Sequence, residues 1–195
     1  MVALSAMVPA AATPLFLVLW SWFGWWRRHR VLTYVLIASI VGGTIAAVVA
    51  ARSALLRARV DLPVWVQGLG WLLVVTSIIF GAVADRQLGL RVRSFAPFFN
   101  DGERIRLITS GAFGVVRHPI YTAGIFYQLG ALLASGVPTV AMALLVFALG
   151  AIWFTRAEER RLIERLEDPA AYTRYRARVP ALLPWPRPRR NDASI

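Results

Sequence analysis

The chain has 195 residues, 58% of them hydrophobic, with a formal net charge of +12, no cysteine and two histidines. Lack of cysteine excludes disulfides, thiolate metal ligands and a thiol nucleophile, and histidines at 29 and 118 alone cannot build a His-rich metal site. The apolar content points to a membrane protein, so the basic balance, carried entirely by arginine, is read as membrane topology and not as nucleic-acid binding.

Four stretches without a charged side chain follow one another: residues 2–26, 31–51, 62–84 and 119–155. A spanning helix takes roughly 20 apolar residues, so each of the first three predicts one helix. The fourth is too long for one helix and breaks at "SGVP", residues 135–138, where Gly136 and Pro138 favour a tight turn. It predicts two short helices, 119–134 and 139–155, joined as a hairpin. The expected fold is all-α, a single polytopic membrane domain with about five transmembrane helices, because open strands leave backbone groups unpaired in hydrocarbon. The charges of the first run follow it instead of preceding it, which is not the pattern of a cleavable signal. Small residues in "GGTIAA" (42–47) and "GLG" (68–70) suit close helix packing.

The arginines are sorted by loop. "RRHR" (27–30) follows the first span, six arginines lie between residues 85 and 118, and ten follow Thr155, while the turn at 135–138 has none. Positive loops stay cytoplasmic, so the N-terminus is expected outside and the C-terminus inside, in a prokaryotic inner or plasma membrane. One loop, "RSALLRARVD" (52–61), carries three arginines and runs against this scheme. Beyond residue 85 the chain turns polar in patches. "NDG" (100–102) signals a turn, and the alternating segment 103–116 is expected along the inner surface. An amphipathic helix with the stripe Leu162, Ile163 and Leu166 follows, then an interruption at Asp168-Pro169 and a short helix carrying Tyr172 and Tyr175. The tail "PWPRPRR" suits an anionic lipid surface.

The chemistry concentrates in "VVRHPIYTAG", residues 115–124. Pro119 fits a first helical turn, which puts His118 in the N-cap region, beside backbone N–H donors that favour anions. Arg117 offers a fork suited to carboxylate or phosphate, and Tyr121 lies about one turn further in. The plain alternative is an arginine that snorkels to lipid and a histidine that merely caps. Glu158 and Glu159, just past the last apolar run, are expected on the same side as His118, where carboxylates and cations can pair or jointly hold a zwitterion. Glu164 reads as the partner of Arg160 on a solvated helix face.

"LITSGAFGVVRHPIYTAG", an apolar hairpin, "EERRLIERL" and "AYTRYRARVPALLP" stand in order over roughly residues 103–184. The ordered set resembles the isoprenylcysteine carboxyl methyltransferase family and its phospholipid methyltransferase relatives; the first three spans match only in being hydrophobic. The resemblance implies an integral membrane enzyme that uses S-adenosylmethionine on a lipophilic small-molecule or lipid-linked acceptor. It implies a cofactor site in the half after residue 85, made of Leu107, Ile108, Phe113, Arg117, His118, Pro119, Ile120, Tyr121, Glu158 and Glu159. Glu158, with Glu159 beside it, would take the ammonium, and His118 with the helix N-terminus the carboxylate. Leu107, Ile108 and Phe113 would wall the adenine, and Tyr121 would line the methyl-transfer side. Two departures stand out: Phe113 replaces a tyrosine, and Phe154 occupies the place of an arginine that meets the substrate carboxylate in carboxyl-methylating members. Arg156 is the nearest substitute, about a half turn away. The rival readings are a phospholipid amine N-methyltransferase, a sterol-type NADPH reductase, against which Pro119 and Ile120 speak, and a non-catalytic membrane protein of the same fold.

Overall fold

The computed structural model describes residues 1–93, 107–166 and 168–185. Every regular element among them is a helix: α1 (Val2–Ser21), α2 (Phe23–Arg28), α3 (Arg30–Ala50), α4 (Arg52–Leu55), α5 (Val64–Arg93), α6 (Ala112–Val115), α7 (Pro119–Ser135), α8 (Thr139–Arg165) and α9 (Pro169–Arg178). Arg30–Ala50, Val64–Gly89 and Thr139–Arg165 are long and apolar enough to cross a membrane, and Val2–Val18 is apolar but shorter. The turn expected at 100–102, the start of the segment from 103 and the basic tail after Trp185 lie outside the described residues.

The long helices α1, α3, α5, α7 and α8 run in alternating directions. At one end, the Val60 N–H donates to Gly136 O at 2.7 Å and Thr139 Oγ1 to Leu55 O at 2.7 Å, so the loop before α5 meets the turn between α7 and α8. The arginine-bearing loop that runs against the charge scheme sits at this end. Gly136 makes the turn possible, because its φ of 63° is a left-handed conformation that costs a glycine little. The apolar core lies here too, with Ala3, Leu4, Ala6, Met7 and Ala10 of α1 packed on Ala131 of α7 and Val140 and Ala143 of α8.

Close approach of backbones holds the middle. A Cβ on Gly70 of α5 would collide with backbone atoms of Gly130, Leu133 and Ala134 in α7, which is the packing that small residues allow. A Cβ on Gly42 or Gly43 of α3, or on Gly68 of α5, would meet nothing within 4 Å, whereas Thr44, in the same stretch as Gly42 and Gly43, is buried.

Helix boundaries differ from expectation in α1 and α8, and α5 likewise runs past Ala84 to Arg93 across a kink at Gly89, whose φ is 72°. The first apolar run is divided, since α1 ends at Ser21 and α2 resumes after Trp22, whose φ and ψ are −108° and 27°. α8 does not stop at Thr155 but continues to Arg165. No Pro or Gly lies between those residues; the onset of charge marks the end of the apolar surface and not the end of the helix. Leu162 and Ile163 therefore belong to α8, and with Leu166 they pack against Tyr172 and Tyr175 of α9, Leu107 and Val179. Asp168 caps α9 by accepting from the Ala170 and Ala171 N–H groups.

Candidate functional site

The polar side chains gather at the end of the bundle opposite the Gly136 turn. The segment after Tyr175 positions them. The Arg117 N–H donates to Pro180 O at 2.8 Å and the His118 N–H to Ala181 O at 3.0 Å, while Thr122 Oγ1 donates to Leu182 O at 2.6 Å. Residues 180–182 thus strap the start of α7. From the other side, Tyr175 Oη donates to Phe113 O at 2.6 Å. Gln87 of α5 closes the preceding turn, its Oε1 accepting from the Ala112 N–H at 3.0 Å against Gly111, whose φ is 61°.

Within this frame Glu159 is the hub. Its Oε1 accepts from Arg117 Nε at 2.9 Å and lies 2.8 Å from Arg117 Nη2 and 3.0 Å from His118 Nε2. Arg117 Nη1 donates onward to Val179 O at 2.6 Å and Arg176 O at 3.3 Å. Arg117 and Glu159 are both 8% exposed. Tyr172 is 2% exposed and its hydroxyl has no hydrogen-bond partner among the described residues; burial and then the nearby Glu159 charge raise its pKa.

Glu158, one residue earlier, is placed differently. Its side chain is 39% exposed. Oε1 accepts from Tyr121 Oη at 2.7 Å, and Oε2 lies 3.5 Å from His118 Nδ1. His118 therefore bridges the two glutamates instead of capping α7, which has no side-chain cap. Burial alone would lower its pKa, but hydrogen bonds to Glu158 and Glu159 and their charges overcome that and raise it. The first-turn N–H groups of α7 beyond Pro119, those of Ile120 and Tyr121, have no intrahelical acceptor.

An aromatic wall continues from Tyr121. Phe154 stacks on it with centroids 6.4 Å apart and planes 8° apart, Trp20 of α1 meets Phe154 edge-on at 6.0 Å, and Arg161 lies 4.3 Å over the Trp20 ring.

The expected residues divide accordingly. Arg117, His118, Tyr121, Glu158 and Glu159 form one contiguous group. Pro119 is buried beneath it and Ile120 is exposed at its edge. Phe113 and Ile108 are half-buried nearby in sequence, and Leu107 packs into the small α8–α9 core. Arg156 is exposed and joins none of these contacts, because two residues along α8 turn it about 200° from Phe154. Sequence reasoning missed Gln87, Thr122, Trp20 and Arg161. Thr122 was in view within the "RHPIYT" run and Gln87 as an uncharged polar residue closing an apolar span; nothing in the sequence pairs Trp20 with Arg161. An apolar groove of about 430 Å³ between α5 and α6, lined by Thr76, Ile79, Phe80, Val83, Gly111, Ala112 and Val115, includes none of the group.

Residues 65–168 match the model of a known family, described as phospholipid methyltransferase. The match reaches back through α5, a span that the motifs had left out, and stops short of Tyr172. No curated protein and no solved structure matches.

Proposed function

The chain belongs to the phospholipid methyltransferase family, a membrane methyltransferase family, and from that premise we propose that it binds S-adenosylmethionine between the start of α7 and the polar end of α8. There it transfers methyl groups to a lipophilic acceptor. The observation that carries this reading is the unequal placement of the two glutamates. Glu159 is consumed by Arg117 and His118, whereas Glu158 keeps an accessible carboxylate beside them.

The residues present fit the cofactor's chemistry. Glu158 can hold an ammonium, with its orientation set by the Tyr121 hydroxyl. The His118 ring and the Ile120 and Tyr121 N–H groups suit a carboxylate at a helix N-terminus. Phe113 and Ile108 are apolar flanks for adenine. Arg117 is a positioning residue: its contacts to Glu159 and the α9 end fix the segment that carries His118. When bound, S-adenosylmethionine supplies a methyl group on a sulfonium, a transfer favoured by positioning and exclusion of water. Tyr121 and Phe154 exclude water on the side facing the aromatic wall. Tyr121 donates a hydrogen bond to Glu158 through its hydroxyl, while its ring stacks on Phe154.

The apolar Phe154 favours an acceptor atom that is neutral or becomes so on losing a proton, such as an amine, thiol or phenol, over a carboxylate, since an unpaired buried anion is costly. A phospholipid amine suits an apolar Phe154 better than a prenylcysteine carboxylate. We place all five long helices across the bilayer, with the polar end in the cytoplasm, on the sorting of arginines. Glu158→Gln tests the site: S-adenosylhomocysteine binding should weaken by about 1.5–3 kcal/mol, the range for a hydrogen bond to a charged group. Unchanged affinity removes Glu158 from the site.

A further inference from the structure

α6 has four residues and no side-chain cap of its own, so it is too short to hold its shape by internal hydrogen bonds. What holds its start comes from α5, 25 residues earlier. The side-chain amide of Gln87 lies across the turn before α6. Its Oε1 accepts from the Ala112 N–H at 3.0 Å, and its Nε2 donates to Ser110 O at 3.4 Å. Gly111 stands between these two residues as the N-cap, with φ and ψ of 61° and −131°, and a Cβ there would collide with the Gln87 amide. The amide and the glycine therefore fit one another: the amide satisfies an N–H that a helix start leaves without a partner, and the glycine leaves room for it.

We propose that Gln87 is a positioning residue for the adenine end of the cofactor site: by fixing the backbone at residues 110–112 it sets where Phe113 and Ile108 stand, without touching the cofactor. The inference rests on the cofactor reading above. Phe113 is held from two directions. From α9, Tyr175 Oη donates to its carbonyl oxygen at 2.6 Å; from α5, Gln87 secures the residue before it. Both holds run from a side chain to the backbone, so they fix the chain and leave the half-buried Phe113 ring to serve as a wall. The amino-acid end of the site is anchored differently, through the Arg117–Glu159 pair and through the Arg117 and His118 N–H groups on Pro180 and Ala181. A change at Gln87 therefore reaches the adenine end first, while the Glu158 side keeps its own support.

Titration of S-adenosylhomocysteine into the detergent-purified full chain tests this through a double-mutant cycle. Gln87→Met keeps the side-chain length and removes both hydrogen bonds; it is expected to weaken binding by about fivefold to tenfold. In a Phe113→Ala background the same change should alter affinity by less than about twofold, because the ring it positions is gone. The loss caused by Glu158→Gln should persist in full beside Gln87→Met. Gln87→Glu, whose carboxylate oxygen still accepts from the Ala112 N–H, should keep part of the affinity, and it carries the same cycle if Gln87→Met does not fold. A purely structural role would instead lower the thermal midpoint and the fraction of chains that bind, with the dissociation constant of the competent chains unchanged. That result overturns the inference, as does a loss of equal size with and without the Phe113 ring. Absence of S-adenosylhomocysteine binding in wild type sinks the cofactor reading and this inference with it, whereas wild-type binding that Gln87→Met leaves unchanged sinks this inference alone.

Discussion

The two sides of the polar end of α8 are built from the same residue type and serve opposite ends. On one side Glu159 is closed in by Arg117, His118 and the end of α9, with both members of the ion pair 8% exposed. On the other, Glu158 faces outward at 39% side-chain exposure, with a phenol and an imidazole edge as neighbours. Neighbours in a helix point about 100° apart, so one register places one carboxylate in the structure and the other at its surface. A buried, satisfied pair maintains shape; an accessible carboxylate beside it can meet a ligand.

Four substitutions probe the contrast. The largest effect belongs to the closed side: Arg117→Gln leaves Glu159 buried without its guanidinium and should cost about 3–5 kcal/mol, read as a lowered thermal midpoint in detergent. A loss equal to that of Glu158→Gln would erase the distinction between the sides. Tyr175→Phe removes the hydrogen bond to Phe113 O and should cost about 1 kcal/mol by the same measurement. His118 belongs to both sides, and its raised pKa makes its contribution pH-dependent. A group whose folded pKa is raised contributes fully below its unfolded value, here 6.5, and loses that contribution as pH rises through the folded value. The gap in thermal midpoint between wild type and His118→Gln should therefore narrow as pH rises above 6.5; a gap that widens contradicts the bridging role. Smallest of all, Arg156→Ala should change stability by less than about 0.5 kcal/mol, as for an exposed residue with no partner in the group. It should also leave methyl transfer unchanged. Loss of transfer to a farnesylated cysteine analogue in that variant would return Arg156 to the carboxylate.

Much of this site could be read from residue order. The "RHPIY" run and the paired glutamates name five of the side chains that meet, because Pro119 fixes where α7 begins and therefore where Arg117, His118 and Tyr121 stand. What order did not reveal was which glutamate faces inward, since helical phase means nothing until the direction of a neighbour is known. Arg117 read as a ligand fork in part because two of its acceptors besides Glu159, Val179 O and Arg176 O, are backbone atoms, which leave no mark in a side-chain pattern. The continuation of α8 past Thr155 was hidden by its change from apolar to charged residues, a change that solvent and not helix geometry imposes. Trp20 and Arg161 meet only through the packing of α1 along α8, where Gly150 admits Thr13, and residue spacing cannot show a contact between such distant parts of the chain.

The central claim is that the Glu158 side of α8 holds S-adenosylmethionine, and calorimetric titration of the detergent-purified protein with S-adenosylhomocysteine, run beside NADPH, tests it most directly. The account predicts saturable binding of S-adenosylhomocysteine at one site per chain and none of NADPH. No heat from S-adenosylhomocysteine up to millimolar concentration, or saturable binding of NADPH in its place, would contradict it.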